Sequence, residues 1–261
     1  MEKILIIGSN GYIGSNIVKE LESNNRLVIR ADTASSKSEN YYCIDIRAKE
    51  AVFSLIKNVS PTIVYHLAGL SSLDKCERDK ELAYAINVSG TVNIVAAIAS
   101  LNPNCKLVFM SSDYVFEGTA GRYKETSEKK PTTQYGITKA TAEDYVLTLS
   151  NSLVCRTSNV FGHGGNFYNF LIEKISHNEK IEAFEDAQYT PTYIGYLIDS
   201  IIKLADSKFK GVIHIAGPDV VSRFDFAKQL ATMYDKGREE LVARSKKGST
   251  LIAANSSLPL S

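Results

Sequence analysis

The sequence predicts an α/β fold, a doubly wound parallel sheet with a small discontinuous lobe attached. Three observations predict it. Short runs that are apolar throughout recur along the chain, as strands buried on both faces require. Between them lie segments with apolar residues three and four apart, the spacing that gives a helix one buried face. Strand and helix alternate, which implies right-handed crossovers between parallel strands.

Taken in order, the strand candidates are residues 4–7, 27–29, 41–44, 63–67, 107–110, 153–155 and 212–215. Helical spacing is carried by Ile13, Ile17, Val18 and Leu21, then by Val52, Leu55, Ile56 and Val59, and later by Leu197, Ile198, Ile201 and Ile202. After Arg156 the rhythm loosens. Residues 162–166 read as a loop and 180–184 as an extra strand, while Ser222-Arg223-Phe224-Asp225 reads as a capped helix start, with an acid three residues after the capping serine. The expected sheet domain covers 1–157 plus about 190–216. The lobe covers about 158–189 plus 217–261.

Composition narrows the function classes. A chain of 261 residues with 44% hydrophobic and 23% charged residues is an ordinary globular protein. The net charge of +1, from 30 basic and 29 acidic residues, provides no long-range field for nucleic acid or an anionic membrane. The first apolar run, directly after Met1-Glu2-Lys3, is too short for a signal peptide or a membrane span. Cys43, Cys76, Cys105 and Cys155 show no paired spacing and read as reduced thiols, so a cytoplasmic location is expected. His66, His163, His177 and His214 lack ligand spacing, and no metal is expected.

Gly8-Ser9-Asn10-Gly11-Tyr12-Ile13-Gly14 follows the first strand and opens the first helix. Gly8 can make the tight turn, Gly11 lets backbone approach a pyrophosphate, and Gly14 lets helix and strand pack closely. The N–H groups at the helix start face the anion. Asp32 ends the second strand, where a carboxylate hydrogen-bonds the ribose hydroxyls of NAD and repels a 2′-phosphate. Arg30 and Lys37 flank it and offset part of that charge, so NAD(H) is favoured and NADP(H) left open. These features define a Rossmann-type dinucleotide site.

Tyr135 and Lys139 stand four residues apart and share a helix face. An ammonium near a phenol lowers the phenol's pKa, which suits Tyr135 to exchange a proton with an alcohol or alkoxide oxygen. Ser111-Ser112-Asp113 follows the strand candidate at 107–110, at the edge where open α/β sheets bind ligands, and Ser112 can hydrogen-bond the same oxygen.

The set resembles the extended short-chain dehydrogenase/reductases, and within them the dTDP-4-dehydrorhamnose reductase branch. Ser111-Ser112-Asp113-Tyr114-Val115-Phe116-Glu117-Gly118 is similar to that branch's STDYVFDG. Pro131, Tyr135-Gly136 and Lys139 match its P…YGxSK, and Arg156-Thr157-Ser158 its RTS. Asn166-Phe167 matches its later NF, and Asp186 with Tyr189-Thr190-Pro191-Thr192-Tyr193 its DQ…PTY. Residues 253–258 resemble its RPxxSxL segment without the Arg-Pro. The chain departs from the branch at Asn159, where a Trp is usual, and at Tyr12-Ile13, where Gln-Leu is usual.

The resemblance implies a catalytic set of Ser112, Tyr135 and Lys139. It implies a cofactor site of Gly8, Gly11, Tyr12, Ile13, Gly14, Asp32, Asp45, Ile46, Leu67, Ala68, Gly69 and Asn87 together with Tyr135 and Lys139. On the substrate side it implies Asp113, Val115, Thr157, Asn159, Asn166 and Pro191. The activity implied is NAD(P)H-dependent reduction of a nucleotide-linked 4-keto-6-deoxy sugar, with hydride to C4 and the proton from Tyr135. The alternatives are a nucleotide-sugar epimerase and a non-enzymatic, NAD(P)-binding regulatory subunit. A dehydratase would carry Asp-Glu where this chain has Asp113-Tyr114. A homodimer is expected by analogy, through the helix around 82–98, with Val88, Val92, Val95 and Ile98, and the helix that begins near Tyr135.

Overall fold

Alternate residues of the first strand, β1 (Ile4–Ile7), bury on opposite faces of the sheet, and two cores follow from that alternation. The structure, a computed structural model, describes residues 2–186, 188–235 and 237–245. The segment 253–258 lies outside these described residues.

After β1 come α1 (Tyr12–Ser23), β2 (Val28–Asp32), β3 (Tyr41–Cys43), α2 (Lys49–Val59) and β4 (Ile63–His66). A short α3 (Leu73–Arg78) precedes α4 (Lys80–Tyr84), which continues through a π turn (Ala85–Ser89) into α5 (Gly90–Leu101). Then follow β5 (Lys106–Ser112), a 3-10 turn (Asp113–Val115), α6 (Gln134–Val146) and β6 (Ser152–Thr157). The lobe begins with β7 (Val160–Phe161), α7 (Asn166–Ser176), β8 (Ile181–Phe184), β9 (Gln188–Tyr189) and β10 (Thr192–Tyr193). The chain returns to the sheet through α8 (Ile194–Asp206) and β11 (Gly211–His214). It then re-enters the lobe with β12 (Val221–Ser222), α9 (Arg223–Tyr234) and β13 (Val242–Ser245).

Seven strands form one parallel sheet in the order β3-β2-β1-β4-β5-β6-β11. All seven strand candidates are in it. Leu5 and Ile7 face one core with Val52, Ile56, Ile94 and Ile98, whereas Ile4 and Ile6 face the other with Ile17, Leu21, Leu197 and Ile201. Lys106 is buried at the amino end of β5 because its ammonium donates to the carbonyls of Leu204 (2.8 Å) and Ser207 (2.7 Å), closing the end of α8.

The lobe has its own apolar cluster, built on Leu171, Ile175, Ile181, Phe224, Ala227 and Val242. The extra strand expected at 180–184 forms β8 and pairs in parallel with β13. The expected cap also forms: Ser222 Oγ accepts the Asp225 N–H (2.9 Å) and donates to its carboxylate (2.6 Å). The loop expected at 162–166 ends one residue early, because Asn166 already opens α7.

Three of the four valine and isoleucine residues offered for a dimer face, Val88, Val95 and Ile98, are buried inside the chain itself, between α5 and its neighbours. α5 packs against both α2 and α6, so its apolar excess has an intrachain cause. The large apolar groups exposed on these helices are Tyr84, Leu101, Ile137 and Tyr145.

Candidate active site

Parallel register brings the carboxyl ends of β1, β2 and β4 to one edge, with Ile7 beside Ala31 and His66. Gly8 turns the chain there with φ +89°, and a Cβ on it would lie 2.5 Å from the Ala68 nitrogen. A Cβ on Gly14 would lie 2.1 Å from the Gly8 oxygen, so α1 can sit this close to the turn only with glycine. Gly11 caps α1 without a side chain, and the helix has no acid in its first turn. The N–H groups of Tyr12, Ile13 and Gly14 therefore start a helix with no intrahelical acceptor and no competing carboxylate.

Asp32 accepts the Asn10 N–H (2.9 Å) on one oxygen and the Thr33 N–H (2.8 Å) on the other. It lines a pocket of about 430 Å³ with Gly8, Gly11, Asp45, Ile46, Leu67, Ala68 and Gly69. Arg30 does not offset Asp32 as expected: it ion-pairs with Glu22 of α1. Among the described lining residues the cation is Arg47, whose guanidinium bonds Asp45 (2.9 and 3.0 Å) and holds that carboxyl below its usual range.

A second cleft, of about 540 Å³, adjoins the glycine turn and is lined by Gly8, Gly11, Tyr12, Ile13, Gly14, Leu67, Gly69 and Asn87 on that side. The same cleft is lined by Ser112, Asp113, Tyr135, Lys139, Thr157 and Asn159. Ser112 is the last residue of β5 and pairs in register with Thr157 of β6. Thr133 caps α6, accepting the Gly136 N–H (3.1 Å), which fixes the start of the helix that presents Tyr135 and Lys139. Asn87, in the π turn, clamps the site from the side. Its carbonyl accepts the Leu70 N–H (2.7 Å), and its amide donates to the Leu70 carbonyl (3.0 Å) and Thr138 Oγ1 (3.0 Å).

The electrostatics differ from the expectation at one point. Tyr135 is pushed above its ordinary pKa by desolvation first and by the nearby Asp113 second, while a hydrogen bond with Ser112 pulls the other way. Lys139 does not reverse that upward shift here. The Lys139 ammonium stands 4.2 Å above the Phe109 ring, and burial lowers it to about 8. Burial thus favours the protonated phenol of Tyr135. Ser112 Oγ donates to Asp113 (2.9 Å), whose buried carboxyl is pushed up to about 6, chiefly by desolvation.

Behind the cleft, Glu143, one turn beyond Lys139 and fully buried, accepts from Ser111 Oγ (2.5 Å) and from Arg156 Nε (2.9 Å) and Nη2 (2.7 Å). This network ties α6 to β5 and β6. Burial lowers His66 to about 3, and its Nε2 pairs with Thr91 (2.8 Å), so it is a neutral packing residue. Cys76, Cys105 and Cys155 are buried free thiols, and Cys43 is an exposed one. Among the described residues, no group of three His, Cys, Asp or Glu side chains is placed to hold a metal.

Two of the expected substrate residues lie away from the cleft lining. Val115 turns inward through the 3-10 turn and is fully buried with Phe116 and Ala140. Pro191 lies against Gly217, its carbonyl 2.1 Å from where a Cβ there would be. Asn166 opens α7 between Gly165 and Phe167, both of which line the cleft. Sequence reasoning missed Tyr114, Ser158, Phe167, Tyr189 and Arg223 as lining residues. For Arg223 the available signal was its place directly after the capping Ser222.

A doubly wound seven-stranded sheet, a glycine turn after β1, and Ser, Tyr and Lys around one cleft form the architecture of the extended short-chain dehydrogenase/reductases. The chain belongs to the family described as the RmlD substrate binding domain, whose model matches residues 1–257. A dTDP-4-dehydrorhamnose reductase from Aggregatibacter actinomycetemcomitans is 33% identical over 87% of this chain and 77% of its own length. A solved dTDP-4-dehydrorhamnose reductase from Bacillus anthracis, in complex with NADP, superposes with a TM-score of 0.83 at 28% identity, covering 94% of this chain and 84% of that one. The methionine adenosyltransferase 2 subunit beta of Xenopus laevis is 26% identical over 89% of this chain and 72% of its own length.

Proposed function

We propose that the chain is a nicotinamide-dependent reductase of a nucleotide-linked 4-keto-6-deoxy sugar, acting at C4 with Tyr135 as proton donor. The observation that carries this is the convergence of Ser112, Tyr135 and Lys139 on one cleft with the glycine turn. The residues fit a dinucleotide. Gly8 and Gly14 leave no room for side chains where the turn packs, and Gly11 leaves the helix start open toward both pockets. Asp32 lines the pocket suited to the adenosine end.

When bound, the nicotinamide supplies the hydride. Ser112 and Tyr135 hold the carbonyl oxygen, and Tyr135 gives its proton as negative charge develops there. Its raised pKa keeps that proton in place until the developing alkoxide, a far stronger base, takes it. Lys139, charged below about pH 8, supplies the positive charge beside the reacting groups. Asp113, Thr157 and Asn159 border the sugar's place in this reading.

NAD(H) is favoured because Asp32 opposes a 2′-phosphate. NADP(H) stays open because Arg47 lies in the same pocket and the Bacillus anthracis relative holds NADP. We place the enzyme in the cytoplasm as a homodimer, the latter to be checked by light scattering across micromolar concentrations, where monomer alone would refute it.

The test is a panel of nucleotide 4-keto-6-deoxy sugars with NADH or NADPH, read by nicotinamide absorbance. Turnover with NADH at least as efficient as with NADPH is expected. A strong NADPH preference would overturn the reading of Asp32. The similarity to a methionine adenosyltransferase subunit favours a second reading, a cofactor-binding regulatory subunit. Cofactor binding with no reduction across the panel would move that reading first.

A further inference from the structure

We infer that Arg223 is the residue that recognises the diphosphate of the sugar nucleotide, an inference that rests on the nucleotide-sugar reading above. Arg223 opens α9 on the lobe side and lines the same cleft as Ser112 and Tyr135. Among the described lining residues, the cations are Lys139 and Arg223. Lys139 is buried over the Phe109 ring at the reaction end. Arg223 is the charge that the lobe contributes, close enough to the Tyr114 phenol to act on it.

Six arginines, Arg26, Arg30, Arg47, Arg156, Arg238 and Arg244, each pair with a carboxylate. Arg78 and Arg122, like Arg223, have no carboxylate partner among the described residues, but neither lines the cleft. The nearest acid along the helix, Asp225, is engaged by Ser222. The guanidinium rests instead on two rings, with its Cζ 4.6 Å from the Phe167 centroid and 5.6 Å from that of Tyr189. Ring faces hold the plane of a guanidinium and leave the N–H donors at its edge free. Tyr189 adds a buried hydroxyl with no hydrogen-bond partner among the described residues.

A half-buried guanidinium with free edge donors in a cleft calls for an anion that can take a bidentate contact. A neutral sugar has no use for that charge, whereas the diphosphate joining sugar and nucleoside does. The net charge of +1 means that attraction must be local, and Arg223 supplies it at the lobe wall.

Calorimetry on the full chain loaded with oxidised cofactor tests this, with dTDP and thymidine as probes. The wild type is expected to bind dTDP more tightly than thymidine. Arg223→Gln should weaken dTDP by about 10–100-fold, the worth of charge-assisted hydrogen bonds, and leave thymidine and cofactor affinities unchanged. Arg223→Lys, which keeps the charge and loses the fork, should fall between. The inference is overturned if Arg223→Gln binds dTDP like the wild type, or if it loses thymidine and dTDP equally. In both cases the nucleotide-sugar reading survives. A wild type that binds no dTDP overturns both.

Discussion

Glu143→Gln removes the carboxylate that balances Arg156 inside the sheet. Glu143 is fully buried and the Arg156 side chain is 5% exposed, so solvent cannot replace the lost charge. The glutamine keeps the shape and one acceptor oxygen but turns an amide N–H₂ toward Ser111 or the guanidinium. Lys129, whose ammonium lies 3.5 Å from Glu143, loses part of its balance too, although Asp144 (2.6 Å) retains it. Breaking one side of a buried pair costs about 3–5 kcal/mol. An unfolding entropy of about 2.1 cal/mol/K per residue gives about 0.5 kcal/mol/K for a chain of this length, so Tm should fall by about 5–10 °C. Thermal and urea unfolding measure it. Glu143 is one helical turn from Lys139 and bonds Ser111, the neighbour of Ser112, so turnover should fall with stability. The double variant Glu143→Leu with Arg156→Leu should be less destabilised than the single Glu143→Gln, since no buried charge is left alone. A Glu143→Gln protein within about 0.5 kcal/mol of wild type, the size of a surface effect, would refute this role for Glu143.

Asp113 gives a pH-dependent prediction. Its folded pKa, about 6, lies above the unfolded value, so the folded state holds the extra proton, and the stabilisation is lost as pH rises through about 6. Asp113→Asn keeps a partner for Ser112 and cannot titrate; its stability relative to wild type should increase between about pH 4 and about pH 7, and an unchanged difference in Tm contradicts the assignment. Gly14→Ala would drive a methyl into the Gly8 carbonyl at 2.1 Å and move α1 off the turn. Cofactor affinity should drop at least about tenfold with a stability loss of about 1–3 kcal/mol, and normal cofactor binding in a folded variant would count against the glycine-turn site.

The sheet was legible because its strands are apolar on both faces, as in Ile4-Leu5-Ile6-Ile7, a pattern that survives without tertiary information. The cleft was legible where spacing is rigid: Tyr135 and Lys139 on one helix, Ser112 at a strand end. Glu143 continues the same helical stripe at the next turn and was visible in principle. Its partners Arg156 and Ser111 come from other strands, which spacing cannot reveal. The fate of Val115 shows the opposite failure. It neighbours cleft residues in sequence, but one turn of 3-10 helix points it into the protein. The lobe was hard to read because its strand pairs are two to four residues long, and because the aromatic start of α7, Phe167-Tyr168-Asn169-Phe170, obscures the helical period. The direction of the Tyr135 shift depended on burial, a quantity that sequence does not carry. The same holds for Arg223, whose lack of a carboxylate partner among the described residues appears only when the lobe is assembled.

The central claim is that Tyr135 donates the proton in a nicotinamide-dependent reduction. Single-turnover loss of nicotinamide absorbance should be followed with the best substrate from the 4-keto sugar panel, for wild type and Tyr135→Phe side by side. Phenylalanine keeps the ring and its edge contact with Tyr114, at 5.8 Å between centroids, and removes only the proton. The account predicts that the rate falls by about 10²–10⁴-fold while cofactor affinity is retained. A Tyr135→Phe rate close to wild type would contradict it.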